Sequence, residues 1–226
     1  KLYNLTTGAV VATMLYHTNQ PICVSFSADG TRIASGDAMG RIVIWNASTY
    51  ARINNMDNPT PCMVNSVSFN PMVIDMVLAA YQCGVSATWS TASAAQIRTF
   101  DGSIGAHMYS CYSQDGTRII TCGEKGAGSG LYLGASIIWD ASSGATIATF
   151  DGANKLNSHT FSASYATYST NGLYIYTANT YGGVNVWTSS GAHSRQMLVR
   201  QARGGVVSAD FFPDDLKVVT MGEDGS

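Results

Sequence analysis

The sequence predicts an all-β chain assembled from repeats of four short strands. Three observations carry this. A pair of aromatic markers recurs along the chain at near-constant spacing. The runs that hold the markers alternate apolar and polar residues, which is the periodicity of a half-buried strand. Gly-bearing turn signals punctuate the runs, and no stretch sustains the i, i+3, i+4 pattern of an amphipathic helix.

The elements follow in order. Lys1 to Met14 (KLYNLTTGAVVATM) reads as the last two strands of a repeat, joined by the LTTGA turn. A first strand then ends on Phe26 in VSFSADG, and a third strand ends on Trp45 in RIVIWNAST. The same pair recurs as Phe69 (VSFNPMV) with Trp89 (VSATWSTAS), Tyr112 (SCYSQDG) with Trp139 (SIIWDASSG), and Tyr168 (ATYSTNG) with Trp187 (VNVWTSSG). Phe211 (ADFFPDD) opens a last repeat, of which Val206 to Ser226 supplies the first two strands. The first markers are 43, 43, 56 and 43 residues apart, and first to second marker measures 19, 20, 27 and 19 residues. The third repeat therefore carries an insertion between its markers and a second one after Trp139. In ADG-T, QDG-T and TNG-L the Gly supplies the positive φ of a tight turn.

Composition bounds the function classes. The chain of 226 residues is 46% hydrophobic, enough to bury a core, yet only 12% charged, with a net charge of −2. That balance gives no electrostatic footprint for nucleic acid or for an anionic membrane. The uncharged stretch over residues 76–97 is interrupted by Gln, Ser and Thr and is no transmembrane helix. Five cysteines, Cys23, Cys62, Cys83, Cys111 and Cys122, lack any C-x-x-C pair, so neither a disulfide framework nor a zinc site is expected. Cys23, Cys111 and Cys122 lie in apolar runs, where a thiol packs as a small hydrophobe. Reduced cysteines lean towards an intracellular, cytoplasmic protein.

The running pattern S-x-D-G-T-R-I-x-[ST]-G-x-x-x-G-x-[IV]-x-[IV]-W-[DN] resembles that of WD-repeat β-propellers, over nearly the whole chain and in five repeats. Only Trp139-Asp140 keeps the Trp-Asp dipeptide; the others read Trp45-Asn46, Trp89-Ser90, Trp187-Thr188 and Tyr3-Asn4. The resemblance implies a single domain over residues 1–226, built of four-stranded antiparallel blades. Four whole blades plus one built from both termini would make five, and pairing the termini would remove exposed edges. The rival reading is part of a longer propeller. The resemblance also assigns a structural hydrogen-bond chain: His17 with Ser35 and Trp45, and His159 with Thr177 and Trp187, alongside Trp89 and Trp139. The turn Asp that completes such a chain is replaced by Met39, Cys83 and Tyr181. Asp224 fits that place in the composite blade, where Ala202 stands for the His, so no blade keeps the full set.

Catalytic patterns are absent from the sequence: no G-x-S-x-G, no H-E-x-x-H and no G-x-x-x-x-G-K-[ST] occurs. GEKGAGSGLYLG, Gly123 to Gly134, has the spacing of neither nucleotide-binding fingerprint and reads as an elongated hairpin loop. Asp210, Asp214, Asp215, Glu223 and Asp224 read as turn residues rather than a Ca²⁺ or acid–base site. Arg195, Arg200 and Arg203 are too sparse for nucleic acid. Asn4-Leu-Thr6 and Asn46-Ala-Ser48 are formal glycosylation sequons, more simply read as Asx turns.

Fold does not specify activity. The expectation is a non-enzymatic scaffold, without cofactor or metal, that holds a protein or peptide partner. A carbohydrate-binding, lectin-like five-bladed propeller is the alternative, suggested by low charge and many aromatics among neutral polar residues. The resemblance places docking on the face where loops between blades meet the turns between second and third strands. Its expected partner-binding residues are Gln20, Gln82, His107, Lys125, Tyr132, Thr180, Arg203 and Glu223. No nucleic acid or membrane partner is expected, and exchange of the terminal segments between two chains would give a dimer.

Overall fold

The computed structural model describes residues 1–102, 105–126, 132–151, 163–179, 183–190, 193–198, 206–212, 214–215 and 217–222. Every described element is a strand. Two short ones come first, β1 (Leu2–Tyr3) and β2 (Val10–Ala12). Four four-stranded units follow. They are β3 (Pro21–Phe26) to β6 (Arg52–Asp57) with β4 (Arg32–Asp37) and β5 (Arg41–Asn46), then β7 (Val64–Phe69), β8 (Met76–Tyr81), β9 (Val85–Ser90) and β10 (Gln96–Phe100). The third unit is β11 (His107–Tyr112), β12 (Arg118–Gly126), β13 (Tyr132–Asp140) and β14 (Thr146–Asp151). The fourth is β15 (Ala163–Tyr168), β16 (Tyr174–Asn179), β17 (Gly183–Thr188) and β18 (His193–Leu198). The pair β19 (Val206–Phe211) and β20 (Val218–Gly222) ends the chain.

Each unit is one antiparallel sheet with its strands in chain order, the blade expected from the repeat. The first strands β3, β7, β11, β15 and β19 contact one another in sequence. The terminal pairs remain separate two-stranded sheets, and the pairing that would join them into a fifth blade is not present among the described residues. With two and three residues, β1 and β2 offer few hydrogen bonds to hold such an edge.

The turns form for local reasons. Between β3 and β4, Ser27 Oγ donates to Asp29 Oδ1 at 2.6 Å and accepts from Arg32 N at 2.9 Å, while Gly30 adopts φ 70°. Ser113, Asp115, Gly116 and Arg118 repeat this between β11 and β12. At the ends of the strands that carry Tyr3, Trp45 and Trp139, Asn4, Asn46 and Asp140 each accept the N–H groups two and three residues on, which makes both sequon asparagines Asx turns.

The insertion in the third unit corrects the loop expected over Gly123 to Gly134. β12 and β13 are nine residues long where their counterparts have six, and they stay paired from Gly123↔Ala135 to Gly126↔Tyr132. Most of the insertion lengthens a hairpin, because each added residue gains a ladder hydrogen bond that a free loop would leave to water.

Apolar clusters lie between blades. Ala34, Ile42, Ile44 and Met56 pack on Val64, Val67 and Phe69; Leu78 and Phe100 pack on Tyr112, Ile119 and Trp139; Ile120, Cys122, Ile138 and Phe150 pack on Ala166 and Tyr168. Polar staples cross the same junctions. Arg32 Nη1 donates to Asp75 Oδ1 and to Thr91 Oγ1, both at 2.6 Å, and Arg118 Nη1 donates to the Ser189 carbonyl at 2.7 Å.

Candidate functional site

One rim of the first two blades is built by loops that precede a first strand and turns that join second to third strands. The Gln20 carbonyl accepts from Ala38 N, and the Met63 carbonyl from Gln82 N, each at 3.0 Å, so loop and turn are tied within each blade. Asn58 N, one residue past β6, donates to the Gly40 carbonyl at 3.2 Å and continues the β5–β6 pairing, and towards the second blade a Cβ on Gly40 would stand 2.9 Å from the Cys62 carbonyl oxygen. A continuous line of backbone thus runs from Gln20 through Gly40 and Cys62 to Gln82. Gln20 and Gln82 are both exposed on it, and so is Met39, which the sequence reading did not single out as a surface residue.

The remaining expected partner-binding residues fall into two groups. His107 opens β11 opposite Gly123, Lys125 pairs with Leu133 in β12, and Tyr132 opens β13 opposite Gly126, which sets all three towards one end of the third blade. Thr180, Arg203 and Glu223 lie outside the described residues, as do His159 and Asp224.

The structural chain is complete in the first blade. Trp45 Nε1–H donates to Ser35 Oγ at 2.9 Å, Ser35 Oγ lies 2.7 Å from His17 Nε2, and His17 Nδ1 lies 2.9 Å from Asp37 Oδ2. Proton placement follows from the network: with Nδ1–H donating to the carboxylate, Nε2 accepts the Ser35 hydroxyl. Asp37 Oδ1 also accepts from Met39 N and Arg41 N at 2.9 and 3.0 Å. The expectation that Met39 leaves the chain without its acid is therefore corrected. β4 runs through Asp37, so a carboxylate two positions earlier reaches the imidazole and caps the turn as well. Burial opposes the Asp37 charge, but the hydrogen bonds from His17, Arg41 and Met39 outweigh it and hold its pKa below the ordinary carboxylate value.

The other blades keep part of the chain. Trp139 donates to Thr121 Oγ1 and Trp187 to Thr177 Oγ1, each at 2.9 Å. In the second blade Ala79 occupies the hydroxyl's place, and the buried Trp89 indole N–H is left facing the Tyr81 side chain, short of the hydrogen-bond geometry the other indoles reach. Asp140 sits outside these chains; hydrogen bonds from the Ser143 N–H and from the Ser142 and Ser143 hydroxyls lower its pKa to about 2.

A polar and aromatic cluster extends from the rim along the first blade. The Tyr16 ring lies under the guanidinium groups of Arg52 and Arg41, 4.3 and 5.6 Å from its centroid, and its hydroxyl donates to Asn55 Oδ1 at 3.2 Å. Arg41 Nε donates to Asp57 Oδ1 at 2.6 Å where β5 begins and β6 ends. Sequence reasoning missed this cluster because Tyr16 and Arg52 are distant in the repeat and meet only when the segment before β3 folds across β5 and β6. Two of the C-terminal acids are placed: Asp215 reaches the β15–β16 turn of the fourth blade, accepting from Thr170 N and Asn171 N at 2.8 Å, and Asp210, within β19 rather than in a turn, accepts from Phe211 N at 2.8 Å. Among the described residues no three His, Cys, Asp or Glu side chains are grouped to hold a metal.

Comparison with known proteins agrees with this geometry. Residues 8–46 match the repeat described as "WD domain, G-beta repeat", a span that ends on the first Trp-bearing strand. A segment of 69 residues, 30% of this chain, is 41% identical to WD repeat-containing protein 82 of Drosophila melanogaster, and the match covers 21% of that protein's length. The chain thus matches about a fifth of this curated relative's length. A matched repeat, a WD-repeat relative and four successive four-stranded antiparallel sheets together support the WD-repeat family.

Proposed function

We propose that this chain is a non-enzymatic scaffold that holds a protein or peptide partner on the rim running from Gln20 to Gln82 and on the neighbouring Tyr16 cluster. WD-repeat proteins are generally protein-interaction scaffolds. The observation that carries the site is the cluster itself: an aromatic ring under two guanidinium groups, with exposed Met39 on the same blade, residue types enriched at interfaces. Lys125 and Tyr132 on the lengthened hairpin of the third blade, with His107 at the start of the adjoining β11, extend the same reading, as do Thr180, Arg203 and Glu223. Neither match favours the carbohydrate-binding alternative.

The test is affinity capture from native extract with point variants, followed by titration of whatever is captured. Tyr16→Ala, Tyr132→Ala and Arg203→Ala should each weaken binding by about 1–3 kcal/mol with the thermal melt unchanged. Ile97→Ala, on the outer strand β10, should bind as the parent chain does. Loss of the partner in Ile97→Ala, with the three rim variants binding normally, would overturn the site.

A further inference from the structure

Cys62 lies between β6 and β7, and Cys83 lies in the turn between β8 and β9. Val64 pairs with Tyr81 in the β7–β8 ladder, and the hydrogen bond from Gln82 N to the Met63 carbonyl continues that register outward. One further step reaches Cys62 on one side and, within the turn that begins at Tyr81, Cys83 on the other. Neighbouring positions across an antiparallel pair have Cα atoms about 4.5–5.5 Å apart, within the span a disulfide bridges. The side chain confirms the approach: Cys62 Sγ accepts the N–H of Cys83 at 2.7 Å, which puts the sulfur against the backbone that carries the second thiol.

Exposure separates this pair from the other cysteines. Cys83 is exposed and Cys62 half-buried, whereas Cys111 and Cys122 are buried. Cys23 is engaged with the next blade, donating its thiol to the Val64 carbonyl. From the close approach and the exposed thiol we infer that Cys62 and Cys83 form a reversible disulfide with each other by exchange with a low-molecular-weight disulfide such as that of glutathione, tying the loop before β7 to the β8–β9 turn.

The chemistry balances. The Cys83 thiolate attacks one sulfur of the small disulfide; a Cys83 mixed disulfide forms, the small S–S bond breaks, and the leaving thiolate takes up a proton. Cys62 then gives up its proton to solvent and attacks Cys83 Sγ, expelling the second small thiol. Two protein thiols are oxidised and one small disulfide is reduced to two thiols. Burial, then the neighbouring Cys83 thiol, pushes the Cys62 pKa up to about 12. Cys62 is thus a poor first nucleophile, and capping Cys83 removes the neighbour's share of that shift. The bond would lie beside Gln82 on the rim, but it stands on its own geometry whether or not that rim binds a partner.

The test is incubation of the folded, reduced chain with oxidised glutathione, alkylation of the remaining thiols, then intact-mass and peptide analysis. The expected product has lost two hydrogens, carries no glutathione and contains one linked peptide joining Cys62 to Cys83; dithiothreitol restores the parent. Cys62→Ser should stop at a glutathione adduct on Cys83. A wild-type chain that also stops at that adduct, links either residue to Cys23, or takes up no oxidant would overturn the inference.

Discussion

Trp45, Trp139 and Trp187 each give the indole N–H to a hydroxyl on the neighbouring second strand, from Ser35, Thr121 and Thr177. Trp89 is as buried as Trp45 and Trp139 but faces Ala79, so its N–H forfeits the hydrogen bond to a second-strand Ser or Thr that the other blades make. Ala79→Ser supplies the missing acceptor with one added atom. It should raise stability by about 0.5–1.5 kcal/mol in urea unfolding, and a loss of stability would show that the site has no room for the oxygen. Asp37 yields a pH prediction. Its folded pKa lies below the value of about 3.9 expected in the unfolded chain, so its contribution is fully present above that value and is lost as pH falls through the folded one. The stability gap between the parent chain and Asp37→Asn should stay level down to about pH 5 and shrink below about pH 4. A gap that instead widened on acidification would contradict the depressed pKa. Asp37 also marks a limit of sequence reading. The His17, Ser35 and Trp45 positions were legible from spacing, but the acid was sought at the offset of Met39, because strand length, and with it the start of the turn, is not visible in a repeat pattern.

At the level of the strand, close approach depends on one glycine. A Cβ on Gly36 in β4 would stand 2.7 Å from Val64 Cβ and 2.8 Å from Cys23 Sγ, so the absent side chain is what lets β7 pack against the first blade. Gly36→Ala should cost about 1–3 kcal/mol by overpacking, and adding Val64→Ala should return part of it. Equal stabilities for the parent and the single variant would show that the junction can spread without cost. Strand existence was largely legible, since alternation in RIVIWN and VNVWT reports directly which face is buried. The lengthened hairpin was not. Gly-rich GEKGAGSGLYLG lacks the β-branched residues that mark a strand, and its pairing is imposed by the ladder already running through Ile119 to Cys122. The Tyr16 cluster was hidden for a related reason: its members share no repeat position, so only the path of the chain before β3 brings them together.

Across the whole molecule, one kind of junction recurs. The aromatic marker of each first strand turns towards the preceding blade: Phe69 to the first, Tyr112 to the second, Tyr168 to the third and Phe211 to Tyr176 of the fourth. At the leading end nothing comparable among the described residues covers the equivalent positions. Phe26 and Val24 are 55% and 67% exposed, whereas Phe69 and Val67 are 6% and 8% exposed. At the trailing end Val219 and Met221, 55% and 56% exposed, occupy the places that Ala34 and Gly36 fill beneath β7. The two ends therefore present the two halves of the surface that is buried between successive blades, and burying apolar area of this kind is favourable wherever the other half comes from. Meeting between chains is a head-to-tail contact of the sort that gives dimers, rings or open assemblies, and meeting within one chain is closure. Light scattering across a range of concentrations separates the two. Association between chains predicts a mass that rises with concentration and a Phe26→Ser variant that stays monomeric, with stability changed by no more than about 0.5 kcal/mol. Phe69→Ser, which empties a formed junction, should cost about 3–5 kcal/mol. A monomeric parent chain in which Phe26→Ser is as damaging as Phe69→Ser would defeat association and mean that the leading face is already covered by the chain's own trailing end.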